Sequence, residues 1–245
     1  IETLNQRAVN QELEVSAVSI HAYPNIAGDY ALMNSGASMG EGYGPMIVVK
    51  KGVTEEEAKA NPIAVPGLKT SAYLGIKLCW GDLTYEVVPF DEIIPRILDD
   101  TYKSGLIIHE GQLTYVDHDL DVLVDLGVWW NEKTGGLPMP LGGNVVRRDL
   151  GQQVMEDVTM YTKMSIEHSI ANPDVALQFA KKWGRGIDDD TNREFVTMYV
   201  NERTIDYKKE GRDSIRMFLR EGQEIGLIDS DFDVDSVQFI GAGES

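Results

Sequence analysis

The sequence predicts an α/β fold with mainly parallel, covered sheets and a helical C-terminal part. Two observations carry this. Short apolar runs of strand length (PMIVV, YEVVPF, GLII, DVLV) alternate with helix-length stretches up to about residue 137. Beyond Leu150 the pattern changes to helix-length segments separated by Asn-Pro, Gly and the polar run Asp188 to Asp190. A chain of 245 residues is long enough to bury one large core or two smaller ones.

In chain order, residues 2–10 (ETLNQRAVN) read as a helix and Val15 to Ile20 as a short strand. HAYPNIAGDYALMNSG reads as a helical stretch stopped by Gly36, and SGASMGEGYG as a turn before the strand PMIVV. Acidic TEEEAKAN is a solvated linker or helix. PIAVPG is then a strand, TSAYLGIKLCW the helix after it, YEVVPF a strand and DEIIPRILDD an amphipathic helix or turn. GLIIHE and DVLVDLG add two strands. After LPMPLGGNVVRRDLG come the helices, from QQVMEDVTMYTKMSIEHSI to EGRDSIRMFLREGQEIGL, and a tail after Asp229 that is acidic enough to fray.

Forty acidic residues against 22 basic ones give a net charge of −18, which repels nucleic-acid phosphates and anionic membrane surfaces. No stretch reaches the ~20 apolar residues needed to span a bilayer. The lone cysteine, Cys79, rules out an intrachain disulfide, fits a reducing compartment, and sits in an apolar run as a core residue. DHDLD (117–121) and DSDFDVD (229–235) begin like calcium loops. Valine stands at both glycine positions, however, and Val128 and Ile240 stand where the bidentate glutamate belongs, so neither run predicts a metal site. The glycines Gly40, Gly42 and Gly44 fit no nucleotide-binding spacing, and the four histidines fit no zinc motif.

Position is the remaining signal. Ligands of parallel α/β sheets bind beyond the carboxyl ends of strands. Ser19 closes the strand around Val15 to Ile20. Thr70 and Ser71 open the helix after IAVPG, where hydroxyls and free N–H groups meet a carboxylate, although on chemistry alone a plain N-cap is the better explanation. His109 and Glu110 close GLII, and for His109 a satisfied core histidine and a catalytic one stand side by side. His21 is a weaker candidate; His118 and His168 read as surface residues.

These segments also carry a resemblance. IETLN, the Ser19 to Tyr23 strand end, SGASMGEGYGP, AVPG-x-x-TSAY, GLIIHE, DLGVWW, TGGLPMPLGGNVVRRDLG and YVNERTIDYKKEGRDSI occur in this order. Together they resemble the 1,4-dihydroxy-6-naphthoate synthase family of the futalosine route to menaquinone, along nearly the whole chain. The resemblance implies a two-lobed, periplasmic-binding-protein-like (type II) fold and a cytoplasmic carbon–carbon lyase. Such an enzyme converts cyclic dehypoxanthine futalosine to the dihydroxynaphthoate with no metal or organic cofactor. It implies His109 as general base, with Ser19, Thr70, Ser71, Ala72 and Asn5 around a small-molecule carboxylate substrate and Glu110 beside the base. Serine at 71 departs from the family's usual threonine and keeps the hydroxyl. A further N-terminal strand and helix of the family, with a Pro-Cys-Pro-Asn-Asp type segment, has no counterpart here. The extra glycine in TGGLP and the HEGQ context also fit a paralogue with a shifted substrate. With two lobes, the breaks in pattern assign residues 1–52 and 138–245 to lobe one and 53–137 to lobe two, with crossovers near Lys51 and Gly136. The alternatives are a non-catalytic solute-binding protein of the same fold and a related enzyme of the same pathway.

Overall fold

The computed structural model describes residues 1–108, 111–181, 193 and 196–242. The chain opens with α1 (Glu2–Val9), β1 (Val15–Ser19), a 3-10 turn (Ile20–Asn25), β2 (Tyr30–Met33), β3 (Ser38–Gly40) and β4 (Met46–Lys50). It continues through α2 (Glu55–Ala60), β5 (Ile63–Val65), α3 (Ser71–Trp80), β6 (Tyr85–Val87), α4 (Ile93–Leu98) and β7 (Ser104–Ile107). Then come α5 (Gly111–Thr114), β8 (Leu120–Asp125), α6 (Leu126–Thr134) and β9 (Met139–Arg147). Helices α7 (Gln152–Ala171), α8 (Pro173–Ala180), α9 (Glu202–Ile205) and α10 (Lys208–Glu224) precede β10 (Phe239–Ile240).

The strands form two sheets, one ordered β1-β9-β2-β10 with β3 also on β9, the other β6-β5-β7-β4-β8. Both are mixed, which corrects the expectation of mainly parallel sheets. β9 runs antiparallel to β1, β2 and β3, and β4 antiparallel to β7 and β8, whereas β5 is parallel to β6 and β7. Apolar runs report burial on both faces; they do not report direction.

Two local readings are corrected as well, one unassigned stretch is a strand, and one choice between linker and helix is decided. HAYPNIAGDYALMNSG is a 3-10 turn followed by β2, because Pro24 and Gly28 stop a helix and YALM is buried at every position. LPMPLGGNVVRRDLG contains β9, the strand that ties the first sheet together despite its proline and glycines. The acidic tail is not frayed over its described residues to 242: Val234, Val237, Phe239 and Ile240 are buried, and β10 pairs with β2. TEEEAKAN is a short helix closed by a Thr54–Glu57 capping box.

Met46–Lys50, placed in the first lobe on sequence grounds, is a central strand of the second sheet. The first passage between the sheets is therefore at residues 41–45, not at Lys51. The return passes through α6 to β9. The two passages touch: the Leu126 N–H donates to the Pro45 carbonyl at 2.9 Å. The Asp125 carboxylate accepts from the Gly127 and Val128 N–H groups at 2.8 and 3.2 Å and also from the Gly44 backbone. A Cβ on Gly127 would lie 1.9 Å from the Tyr43 carbonyl oxygen, and one on Gly44 2.6 Å from the Gly127 nitrogen. Only glycine permits this crossing. Just beyond it, buried Trp130 donates its indole N–H to Ser214 Oγ at 2.9 Å and meets Phe218 edge-on, so α6 is pinned to α10.

The crossing sets a stability prediction. Gly127→Ala should cost about 3 kcal/mol or more, since backbone must move on both passages. Gly28→Ala, where an added Cβ meets nothing within 4 Å, should change stability by less than about 0.5 kcal/mol. Urea unfolding midpoints of the two variants check this, and a tolerated Gly127→Ala would show that the crossing is not constrained.

Candidate active site

A cavity of about 300 Å³ opens where the first sheet, the start of α3 and the chain after β7 converge. Ala17, Val18 and Ser19 of β1 form one wall, and Leu141 to Asn144 of β9 run alongside. Thr70, Ser71 and Ala72 close a second side; Ile1, Gly36, Ser38, Pro45, Ile108, Gln112 and Tyr199 complete the lining. The structure thus brings together Ser19, Thr70, Ser71 and Ala72. Asn5 stands directly behind Ser19. His109 and Glu110 lie outside the described residues, but Ile108 and Gln112 on either side of them both line the cavity.

Asn5 reaches Ser19 because α1 packs on β1. Its Nδ2 donates to Ser19 Oγ at 3.2 Å and its Oδ1 accepts the Ser19 N–H at 2.9 Å. Ser19 Oγ therefore accepts from behind and keeps its own proton to donate.

Thr70 is the N-cap of α3. Its hydroxyl accepts from the Tyr73 N–H at 3.1 Å and donates to the Gly67 carbonyl at 2.7 Å. The Ser71 hydroxyl donates to the Leu141 carbonyl of β9 at 2.5 Å and accepts the His21 N–H at 3.3 Å. Both hydroxyls thus have protein partners. What α3 presents is backbone: the N–H groups of Ser71 and Ala72, in its first turn, have no intrahelical acceptor and carry the positive end of the helix dipole. Such a terminus is suited to an anion through main-chain donors, which need no particular side chain at position 72.

The other histidines read from sequence are accounted for. His21 is buried, its Nδ1 3.2 Å from the Thr70 carbonyl and its ring stacked on Tyr73 at 6.4 Å. Burial holds its pKa below the ordinary imidazole value, opposed by backbone hydrogen bonds to Thr70 and Leu227, so it braces the helix start as a neutral ring. His118 and His168 are exposed. Asp119 pairs with Lys51 and Asp235 with Arg220, so these members of the acidic runs serve surface ion pairs. Cys79 packs against the main core, and burial pushes its thiol up to about 11.

Three cavity residues were not singled out from the sequence as site residues: Gln112, Asn144 and Tyr199. Gln112 is buried, donates to the Gly44 carbonyl and accepts from the Tyr199 hydroxyl. Tyr199 in turn meets Tyr43 edge-on at 5.5 Å. HEGQ hinted at Gln112 only by its nearness to His109; nothing local marked the others.

Solved structures define the class. The alkanesulfonate-binding protein of Xanthomonas axonopodis has a TM-score of 0.68 at 12% identity, covering 96% of this chain and 83% of its own. The periplasmic aliphatic sulphonate-binding protein of Escherichia coli gives 0.65 at 10%, covering 100% and 82%. At those identities only the fold is shared: two-lobed and periplasmic-binding-protein-like. A solved protein of Archaeoglobus fulgidus is far nearer, with a TM-score of 0.88 at 41% identity over 93% of this chain and 85% of its own.

Residues 1–224 match the family described as menaquinone biosynthesis, and the chain belongs to that family. It is 33% identical to the 1,4-dihydroxy-6-naphthoate synthase of Thermus thermophilus and 30% identical to that of Streptomyces coelicolor. Each match covers 93% of this chain and 82% of the relative. This is a family of menaquinone-biosynthesis enzymes.

The His21 environment predicts a pH dependence of stability. Its folded pKa is depressed, so between the ordinary imidazole range and that lower value the unfolded chain holds the extra proton. The stability it contributes is full above about pH 6.5 and is lost as pH falls through the folded pKa. His21→Asn should show a shallower fall in unfolding free energy between about pH 7 and pH 5 than the wild type. Equal slopes in urea titrations would remove His21 as the source.

Proposed function

We propose that this protein is a cytoplasmic carbon–carbon lyase that converts cyclic dehypoxanthine futalosine to 1,4-dihydroxy-6-naphthoate, with His109 as general base. The observation that carries the reading is the helix start of α3, aimed with Ser19 into a mostly apolar cavity that Ile108, the neighbour of His109, also lines. The synthase relatives support the same reaction.

In this reading the Ser71 and Ala72 N–H groups hold the substrate carboxylate, and Ser19, backed by Asn5, donates its hydroxyl from the first sheet. Val18, Pro45, Ile108 and Leu141 keep water away from the ring system. Neutral His109 accepts a proton from that ring system, and the electrons left behind break the carbon–carbon bond as the product becomes aromatic. Glu110 orients the imidazole or faces solvent. The sheets close on the substrate about the glycine crossing at Gly44 and Gly127.

His109→Ala should lower kcat by roughly 10²- to 10⁴-fold and leave substrate affinity within a few-fold, because a general base acts mainly in the transition state. Turnover assays and calorimetry on one preparation decide the matter. An unchanged kcat removes His109 from the mechanism. Substrate that the wild type binds and never converts identifies a solute-binding protein instead.

The carboxylate anchor is tested by two substitutions at one position. Ser71→Ala removes the hydroxyl only; Ser71→Pro also removes the N–H at a first helical position where proline is tolerated. Product affinity should fall by about 1.5 kcal/mol or more between Ser71→Ala and Ser71→Pro, the scale of one hydrogen bond to a charged group. Equal affinities would show that the helix start does not hold the carboxylate.

A further inference from the structure

Asn144 sits on β9 opposite Ala17, on the strand face it shares with Val146, which packs beneath Met155 of α7. Its side chain lines the cavity described above, and it also lines a second, open groove of about 560 Å³ between α7 and the sheet. Gly36 and Asn144 belong to both walls, so the two spaces meet there. The rest of the groove comes from Val158, Tyr161, Thr162, Ser165, Ile166 and Thr204.

Among the described residues nothing hydrogen-bonds the Asn144 amide, whereas Asn5, Gln112 and Ser71 in and behind the same wall all have protein partners. Two donors and an acceptor are thus left facing the junction. The neighbouring backbone is shaped around that amide. Gly36 has φ +86°, and a Cβ there would lie 2.0 Å from Asn144 Nδ2 and 2.9 Å from its Cγ. A side chain at 36 would displace the amide, and the turn conformation independently favours glycine.

The chemistry of the lining limits what the junction takes. None of the described residues lining either space has a charged side chain, so a phosphate or a second carboxylate finds no counter-charge there. Tyr161 and Ser165 supply hydroxyls, whereas those of Thr162 and Thr204 donate to the Val158 and Tyr199 carbonyls, and the Asn144 amide offers both a donor and an acceptor to a sugar-like hydroxyl. Distance fits too. Ser71 bonds Leu141, and Asn144 lies three residues further along β9, about 10 Å at the rise of a strand. An anion at the start of α3 and hydroxyls at Asn144 would therefore sit at opposite ends of one elongated ligand.

We propose that Asn144 is a substrate-reading residue: its amide binds the neutral, hydroxyl-bearing part of the substrate, and the groove under α7 receives that part while the carboxylate sits at the start of α3. The inference rests on the lyase reading, in which cleavage separates this fragment from the aromatic carboxylate. It explains why Asn144 is left without a hydrogen-bond partner among the described residues where its neighbours have one. It also gives the fragment an exit under α7.

The test compares cyclic dehypoxanthine futalosine with 1,4-dihydroxy-6-naphthoate, which keeps the carboxylate and the ring but lacks the fragment. Asn144→Ala and Asn144→Ser should each lower kcat/KM for the substrate roughly tenfold, the scale of one or two lost hydrogen bonds, and leave product affinity within about twofold. Thermal melts confirm that both variants are folded. Unchanged kcat/KM, or product affinity that falls in parallel, overturns the assignment. Should the wild type bind the substrate without converting it, the lyase reading fails alone. The ratio of substrate to product affinity in the same titrations then decides Asn144: a ratio reduced about tenfold supports the assignment, and an unchanged ratio overturns it.

Discussion

The contact between the two passages that join the sheets is the constraint on which the rest depends. Chain leaves the first sheet through Tyr43 to Pro45 and comes back through Leu126 and Gly127, and backbone lies against backbone where they meet. The Asp125 carboxylate, raised in pKa by burial and held down by the amides it accepts from, binds both passages at once. This fixes where β9 begins, and β9 supplies the longest wall of the cavity. A side chain at either glycine would push the sheets apart at the point from which the cavity opens.

From that point the polar groups of the site sort by what they have left to give. Thr70 and Ser71 spend their hydroxyls on capping α3 and on bonding it to β9, so the helix start is rigid. Its unspent donors are backbone N–H groups, which cannot rotate away and need no reorganisation when an anion arrives. Ser19 differs: Asn5 fills its acceptor side and leaves its proton to give. Neutral His21, wedged between the Thr70 carbonyl and the Leu227 backbone, keeps a second positive charge away from that helix start at neutral pH. The start of α3 is thus left with free donors among described cavity residues that carry no charged side chain.

Gln112 and Tyr199 show how the far parts of the chain complete the site. Tyr199 precedes α9 in the helical C-terminal part, Gln112 follows β7, and Gly44 belongs to the first passage; all three meet through the glutamine amide. Burial of a primary amide is costly unless each end is bonded, and here both are. The segment that carries His109 in sequence is thus tied on its C-terminal side to both the crossing and the helical part.

Much was legible in the sequence because it is local. The amphipathic helices, the strands GLII and PMIVV, the N-cap Thr70 and the position of Ser19 at a strand end all follow from periodicity and capping chemistry. The order of shared motifs pointed to the family. Strand direction was not legible, nor was membership of β4 in the second sheet or the role of a Pro- and Gly-rich stretch as β9, because pairing partners lie far apart in the chain. YALM passed for helix because a buried run of four carries no period. Asn144 and Gln112 were invisible for a related reason: whether an amide is bonded or free depends on what folds against it. The residues by themselves determined which chemical groups are available, whereas only the tertiary structure decided which of them are consumed in holding the fold and which are left for a ligand.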